Sequence, residues 1–374
     1  MLQQQDPQRY QAQCAVLVEG QVDVDALTTS LEWVTRRHEI LRTSFRSLPG
    51  LNWPLQVINS PGPTTIDLHD LSAFDLTAQR QQVDTFWKQL LDTAHDFEQS
   101  QFWRVYLLKL APEKYFLILN LPAMCTDAAG LKNVLDEITR CYEATLHGES
   151  LDDTPVQYAD VSEVNNELLE ADDTEAGREH WSKQDLTGLQ TVRLPLAAKA
   201  SERFIPDLLS RYLDVEQVCL LEAMAAKYET SAPTLLLACW PVLLWRLTRA
   251  EPITIGVLFD GRNYEGLGSV PGLLARYLPV SSFLDQDSPY RLLVNQVEEA
   301  IREGTEYQEY FAGEHETYFP FCFEYEERGE SYERGGVKFS IARQYVCTER
   351  FQVRLTCVRS SSGLRLEFHY DSGS

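Results

Sequence analysis

The chain has 374 residues, more than one hydrophobic core comfortably holds and enough for two ordinary domains. Its hydrophobic share of 44% and charged share of 24% are those of a folded globular protein rather than a disordered one. Fifty-six Asp and Glu against 33 Lys and Arg leave a formal charge of −23, which repels nucleic-acid phosphates and anionic lipid and sets both aside as partners.

The first expected element is a strand over Ala12–Glu19, followed by a helix capped by Asp23 or Asp25 with Leu27, Leu31 and Val34 on one face. That helix runs into RRHEILRTSF, residues 36–45. Beyond a turn around Pro61–Pro63, an amphipathic segment is expected near Val83–Ala94. Phe102–Leu110 and Lys114–Leu121 read as an antiparallel hairpin whose second strand is apolar on both faces and therefore interior. It delivers the chain into PAMCTDAAG, after which Leu131, Val134, Leu135, Ile138 and Tyr142 predict a helix.

An acidic, weakly periodic stretch from Leu146 to Glu179 suits a linker partly wound into helix between lobes. The second half alternates again: a helix near Val215–Lys227, an apolar helix from Thr234, a strand over Ile253–Phe259 and a helix near Tyr290–Glu303. β-rich runs follow at Tyr318–Tyr325, Gln352–Val358 and Leu364–Tyr370, with Glu326–Gly336 expected as an exposed loop. The apolar run Ser231–Ala250 is uncharged only as far as Arg246 and holds Pro233 and Pro241, too short for the roughly 20 apolar residues of a bilayer span. The layout expected is α/β or α+β: an N-terminal lobe over 1–155, a linker over 156–185 and a C-terminal lobe over 186–374. Both ends are abrupt, as in an excised fragment of a larger polypeptide.

Eight cysteines are scattered singly, with no CxxC and no His-x-His, so no metal site is expected. MLQQQDPQRY lacks the basic and apolar regions of a secretory signal, which points to reduced thiols in a cytoplasm. No glycine motif for nucleotides is present. At the expected strand-to-helix turn, Cys125 is either a nucleophile with its thiol pKa lowered by the helix end or a small residue filling a gap. Asp127 either caps the helix or serves as a general base or orienting carboxylate.

RRHEILRTSF carries a more specific signal. Arg37–Phe45 resembles the RHExLRTxF motif of the condensation domains of nonribosomal peptide synthetases. AHDFEQSQFWRVYLLKL, PVQYADVSEV, GVLFDGRNYEGL (256–267) and GLLARYLPV resemble further motifs of that family, in its order. The resemblance implies a chloramphenicol-acetyltransferase-like fold, two such lobes in a V-shaped pseudo-dimer with a central tunnel, the N-terminal lobe lacking its first segment and the C-terminal lobe its last. It also implies work on acyl or peptidyl thioesters held on the phosphopantetheine arms of carrier domains, with adjacent synthetase domains as partners.

The departures fall on function. The family's HHxxxDG motif aligns on Asp127, which puts its two histidines at Pro122 and Ala123 and its glycine at Ala128. Neither Pro nor Ala can take a proton or donate a hydrogen bond from its side chain. Arg276 replaces a family Asn beside the implied tunnel, Gly261 keeps a motif glycine, and the later histidine-rich segment is blurred into YQEYFAG. The resemblance makes Asp127 half of a structural ion pair, with Arg262 as its partner and Arg276 as second candidate, and makes Arg36, Arg37, Arg42 and Arg46 candidates for carrier docking. The functions left open are carrier-thioester handling without His-assisted amide formation, amide formation by positioning or another residue, and reuse of the fold for interaction.

Overall fold

A computed structural model describes residues 10–48, 50, 54–98, 103–170, 174–187, 189, 192–195, 204–285, 287, 289–311, 318–329 and 331–373. The chain divides into two compact units: Met1–Val164 with Arg262–Leu274 and Glu330–Glu349, and Asn165–Gly261 with Ala275–Gly329 and Arg350–Ser374. The first unit therefore contains chain that a contiguous 1–155 and 186–374 division assigns to the C-terminal lobe, because two excursions from the second half join it.

The first unit is built on a six-stranded sheet in the order β11-β12-β1-β6-β5-β4. These are β1 (Gln11–Glu19), β4 (Ile66–Asp70), β5 (Arg104–Ala111), β6 (Lys114–Pro122), β11 (Ser331–Arg334) and β12 (Val337–Val346), and β2 (Thr43–Arg46) and β3 (Leu55–Ile58) form a separate pair. Alternation along β1 decides the two faces. Ala12, Cys14, Val16 and Val18 join the large core with α1 (Val24–Arg37) and α3 (Ala128–His147), whereas Ala15 packs with Trp87 and Leu90 of α2 (Leu76–Leu91). Asp23 caps α1 by accepting from Ala26 N at 2.9 Å, which resolves the choice between Asp23 and Asp25.

The Glu326–Gly336 segment is not simply a loop. Its second part is β11, paired antiparallel with β12, and β12 in turn lies along β1. The 156–185 stretch is largely wound into helix. It forms α4 (Tyr158–Glu170) and α5 (Glu175–Ser182); Trp181 of α5 donates its indole N–H to the Tyr307 carbonyl at 2.7 Å, and Gly177 sits where any Cβ would strike the Tyr310 ring. The division between the units falls within α4.

The second unit carries a sheet in the order β7-β14-β13-β10-β8-β9: β7 (Pro206–Leu213), β8 (Ile253–Phe259), β9 (Arg276–Ser282), β10 (Phe321–Glu327), β13 (Val353–Ser360) and β14 (Gly363–Asp371). Three helices cover one face: α6 (Val215–Lys227), α7 (Ala232–Thr248) and α8 (Tyr290–Tyr307). Among the described residues, no helix is long and apolar enough to cross a membrane.

Candidate functional site

The strand-to-helix turn at residues 123–127 is built around one carboxylate. Asp127 has extended backbone at the N-cap of α3, and its Oδ1 accepts from Gly130 N at 2.7 Å, satisfying a helix-end donor. The side chain is 2% exposed and meets Arg262, itself 4% exposed, from the first excursion. The guanidinium grips both oxygens, Nη1 to Oδ2 at 3.0 Å and Nη2 to Oδ1 at 2.9 Å, while Leu274 N adds a bond to Oδ2 at 2.9 Å. The Nη2 group also donates to the carbonyls of Gly272 at 3.1 Å and Val270 at 3.3 Å. Two charges removed from water are thus satisfied by each other and by backbone, the condition under which a buried pair holds.

Close packing accompanies this pair. A Cβ at Gly130 would collide with Thr126 Oγ1 and press on the Gly272 backbone at 3.1–3.2 Å, so glycine allows the first turn of α3 to lie against the excursion. Asn133 of α3 donates to the carbonyls of Gly268 and Val270 at 2.8 and 3.1 Å, and Tyr158 Oη donates to the Leu273 carbonyl at 3.1 Å. The motif loop is therefore fixed, whatever its side chains do chemically.

Those side chains contribute little acid–base chemistry. Pro122 ends β6, and Ala123 is 0% exposed with its N–H donating to the Tyr10 carbonyl at 3.2 Å. Cys125 belongs to the core of the first unit and is also 0% exposed; burial pushes its thiol well above the ordinary range. A buried thiol shifted upward is the opposite of an activated nucleophile.

The candidate arginines separate. Arg37 Nε lies 2.5 Å from Glu137 Oε1 and its Nη2 3.0 Å from Asp153 Oδ1, and Arg140 completes the group through Glu137 Oε2 at 2.8 Å and Asp153 Oδ2 at 3.1 Å. Burial pushes the Glu137 carboxyl up, but His38 and Arg37 outweigh it and hold the group down at about 2. Arg42 donates to the Asn59 carbonyl at 2.6 Å and pairs with Glu39 at 3.3 Å. Arg37 and Arg42 are thus engaged in internal pairs, and Arg37 holds α1 to α3 and to the 151–153 segment. Arg36 and Arg46 are exposed.

Arg276 donates to the Gln308 carbonyl at 3.1 Å within the second unit; Arg262 is the arginine that meets Asp127. Gly261 has φ +68°, a left-handed conformation that gives its motif glycine a backbone reason. Of YQEYFAG, Ala312 and Gly313 lie outside the described residues.

Residues 1–318 match the sequence profile of the family described as Condensation domain. The chain belongs to that family. The curated relatives of this condensation domain include Tyrocidine synthase 2 of Brevibacillus parabrevis, 24% identical over 301 residues that cover 79% of this chain and 8% of the synthase. Bacitracin synthase 3 of Bacillus licheniformis is 22% identical over 378 residues, 97% of this chain and 6% of that protein. The condensation domain described here thus spans less than a tenth of the length of either relative.

Similar solved structures include the first condensation domain of the calcium-dependent antibiotic synthetase in complex with a substrate analogue, with TM-score 0.84, 16% identity and coverage of 99% of this chain and 87% of that one. The X-domain in complex with OxyB from teicoplanin biosynthesis gives TM-score 0.75 at 19% identity, covering 97% and 83%. At these identities the likeness establishes the fold: mixed α/β, of the chloramphenicol-acetyltransferase-like kind that the motifs imply.

Two buried polar groups of the condensation domain escaped the reading of motifs. On the α2 face of the first sheet, Asn120 Nδ2 donates to Gln11 Oε1 at 2.7 Å and Gln13 Oε1 at 2.8 Å, and Arg104 reaches Asn120 Oδ1 at 3.3 Å. On the second sheet, the face away from the helices carries Tyr277, Glu324, Arg354, Thr356, Glu367 and His369. Glu324 accepts from Tyr277 Oη and from Thr356 Oγ1, the latter at 2.8 Å, and pairs with Arg354 at 3.3 Å. Burial and the Glu324 charge push the Tyr277 phenol up, and burial and Arg354 push the His369 imidazole down. A signal was present in the alternate charged positions of FEYEE, VRLT and RLEFH, a period of two that places them on one face.

Proposed function

We propose that this condensation domain handles acyl or peptidyl thioesters tethered to the phosphopantetheine arms of carrier domains in a nonribosomal peptide synthetase, and does so without imidazole-assisted amide formation. One observation carries the reading: the scaffold around Asp127 and Arg262 is intact and buried, while the two positions that carry histidine in the family motif are Pro122 and an enclosed Ala123. Retention of the frame without the base fits a domain that still has to present the loop correctly. Curated relatives named as tyrocidine and bacitracin synthases support the setting. Carrier domains and neighbouring synthetase domains are the partners in this reading, with the exposed Arg36 and Arg46 as charges available to an acidic carrier.

The test is binding rather than turnover. Carrier domains of the same synthetase, charged with an aminoacyl group through a non-hydrolysable amide, are titrated against the chain by calorimetry alongside their apo forms. Tighter binding of the charged carrier is expected. Equal or absent binding of charged and apo carriers overturns the reading.

A second reading, docking of another enzyme, is favoured by the likeness to the X-domain, whose structure is a complex with OxyB.

A further inference from the structure

With the histidines gone from the motif, the first unit still places a carboxylate at the same end of its sheet. The register fixes this. Gln11 of β1 pairs with Pro122 of β6 on one side, and on the other its carbonyl accepts from Cys347 N at 2.9 Å, just past the end of β12. The Tyr10 carbonyl accepts from Ala123 N. Tyr10 and Gln11 are thus flanked by Pro122–Ala123 and by Cys347, two strand spacings or about 10 Å apart. Gln344 of β12 draws the two sides together, its Nε2 donating to the Ala128 carbonyl at 2.8 Å. Glu349 stands two residues beyond Cys347, half-buried.

Among the described residues, no ion pair or hydrogen bond engages the Glu349 carboxylate; its backbone carbonyl accepts from the Cys347 thiol at 3.4 Å. The next residue, Arg350, directs its guanidinium to Asp371 at 3.3 Å. A carboxyl taken partly out of water with no counter-ion among the described residues is not needed by the fold in the way that Asp127 or Glu137 is. Burial alone pushes it up to about 7, where it changes protonation state near neutrality.

We propose that Glu349 is the catalytic proton acceptor of this domain, taking the place of the missing imidazole in amide formation between two carrier-held substrates. This rests on the carrier-thioester reading above. The acceptor amine attacks the thioester carbonyl; the C–N bond forms and the C–S bond breaks. The extra proton on nitrogen passes to the Glu349 carboxylate and from there to the departing thiolate, which leaves as phosphopantetheine thiol. The carboxylate is regenerated and no further reactant is consumed. A group that titrates close to the working pH is suited to both halves of this relay.

The experiment compares the parent with Glu349→Gln, which keeps shape and removes the titration. A panel of N-acetylaminoacyl thioesters on phosphopantetheinylated carrier domains serves as donor, with aminoacyl thioesters on the acceptor carrier, and product amide is followed by mass spectrometry from pH 5.5 to 8.5. The parent is expected to form amide at a rate that rises through pH 7 to a plateau. The Gln variant should lose at least tenfold at the plateau and the rising limb with it, at unchanged melting temperature and unchanged carrier binding. No product from the parent, or a Gln variant with the parental rate and profile, overturns the proposal. Carrier binding measured in the same preparations separates these outcomes from failure of the carrier-thioester reading, since a chain that binds charged carriers without forming amide refutes only the role of Glu349.

Discussion

Arg262 joins both of its terminal nitrogens to the two carboxylate oxygens of Asp127, at 3.0 and 2.9 Å, across 135 residues of sequence. The pair fastens the start of α3 to the 262–274 excursion. Arg262→Ala would leave a buried carboxylate without its counter-charge, and a loss of about 3–5 kcal/mol is expected from urea unfolding. Arg262→Lys should recover only part of this, because an ammonium cannot reproduce the two-pronged contact. A loss below about 1 kcal/mol for the Ala variant would show that the excursion is held by other contacts.

The acid stability of the first unit should depend on Glu137. Its folded carboxyl lies at about 2, below the ordinary 4.5, so the unfolded chain takes up the proton first as pH falls. The contribution is therefore complete above pH 4.5 and is lost progressively between 4.5 and 2. It amounts to about 3 kcal/mol. Glu137→Gln, which also leaves Arg37 without its main partner, should be less stable than the parent at pH 7 and should converge on it only as the pH falls to about 2. Parallel curves for the two proteins across that range would remove Glu137 from the account.

Local pattern revealed the elements that local forces make. Residues 215–227 and 253–259 follow the expected bounds because each is marked locally, the helix by its N-cap Asp214 and the strand by a largely apolar run that is buried almost throughout. The hairpin of β5 and β6 needs only a short turn between two apolar runs. By contrast, β12 pairs with β1 through residues more than 300 positions apart, and nothing within 337–346 announces that partner. The excursions that complete the first unit were invisible for the same reason: their stability comes from pairing and burial against distant chain. At the site, the family resemblance implied Arg262 as a partner for Asp127, but it also offered Arg37 and Arg42 for docking, because a motif does not show the acids that stand opposite them, Glu137, Asp153 and Glu39.

Thiol labelling should follow burial. Cys219 and Cys239 are exposed, whereas Cys125 is enclosed and its thiol is held well above the ordinary range by burial. Iodoacetamide on the native protein, read by peptide mass spectrometry, is expected to modify Cys219 and Cys239 first and to leave Cys125 unmodified until denaturant is added. Labelling of Cys125 at the rate of the exposed pair would reopen a nucleophilic role.

Restoring a histidine to the motif should not restore its chemistry. Ala123 is completely enclosed at the end of β6, with its backbone N–H committed to Tyr10, so an imidazole there has to displace packed neighbours. Ala123→His is expected to cost about 1–3 kcal/mol in denaturant unfolding, as overpacked substitutions do. Amide formation on loaded carriers should not rise above that of the parent. An increase of tenfold or more at parental stability would mean that the space for the ring is still present.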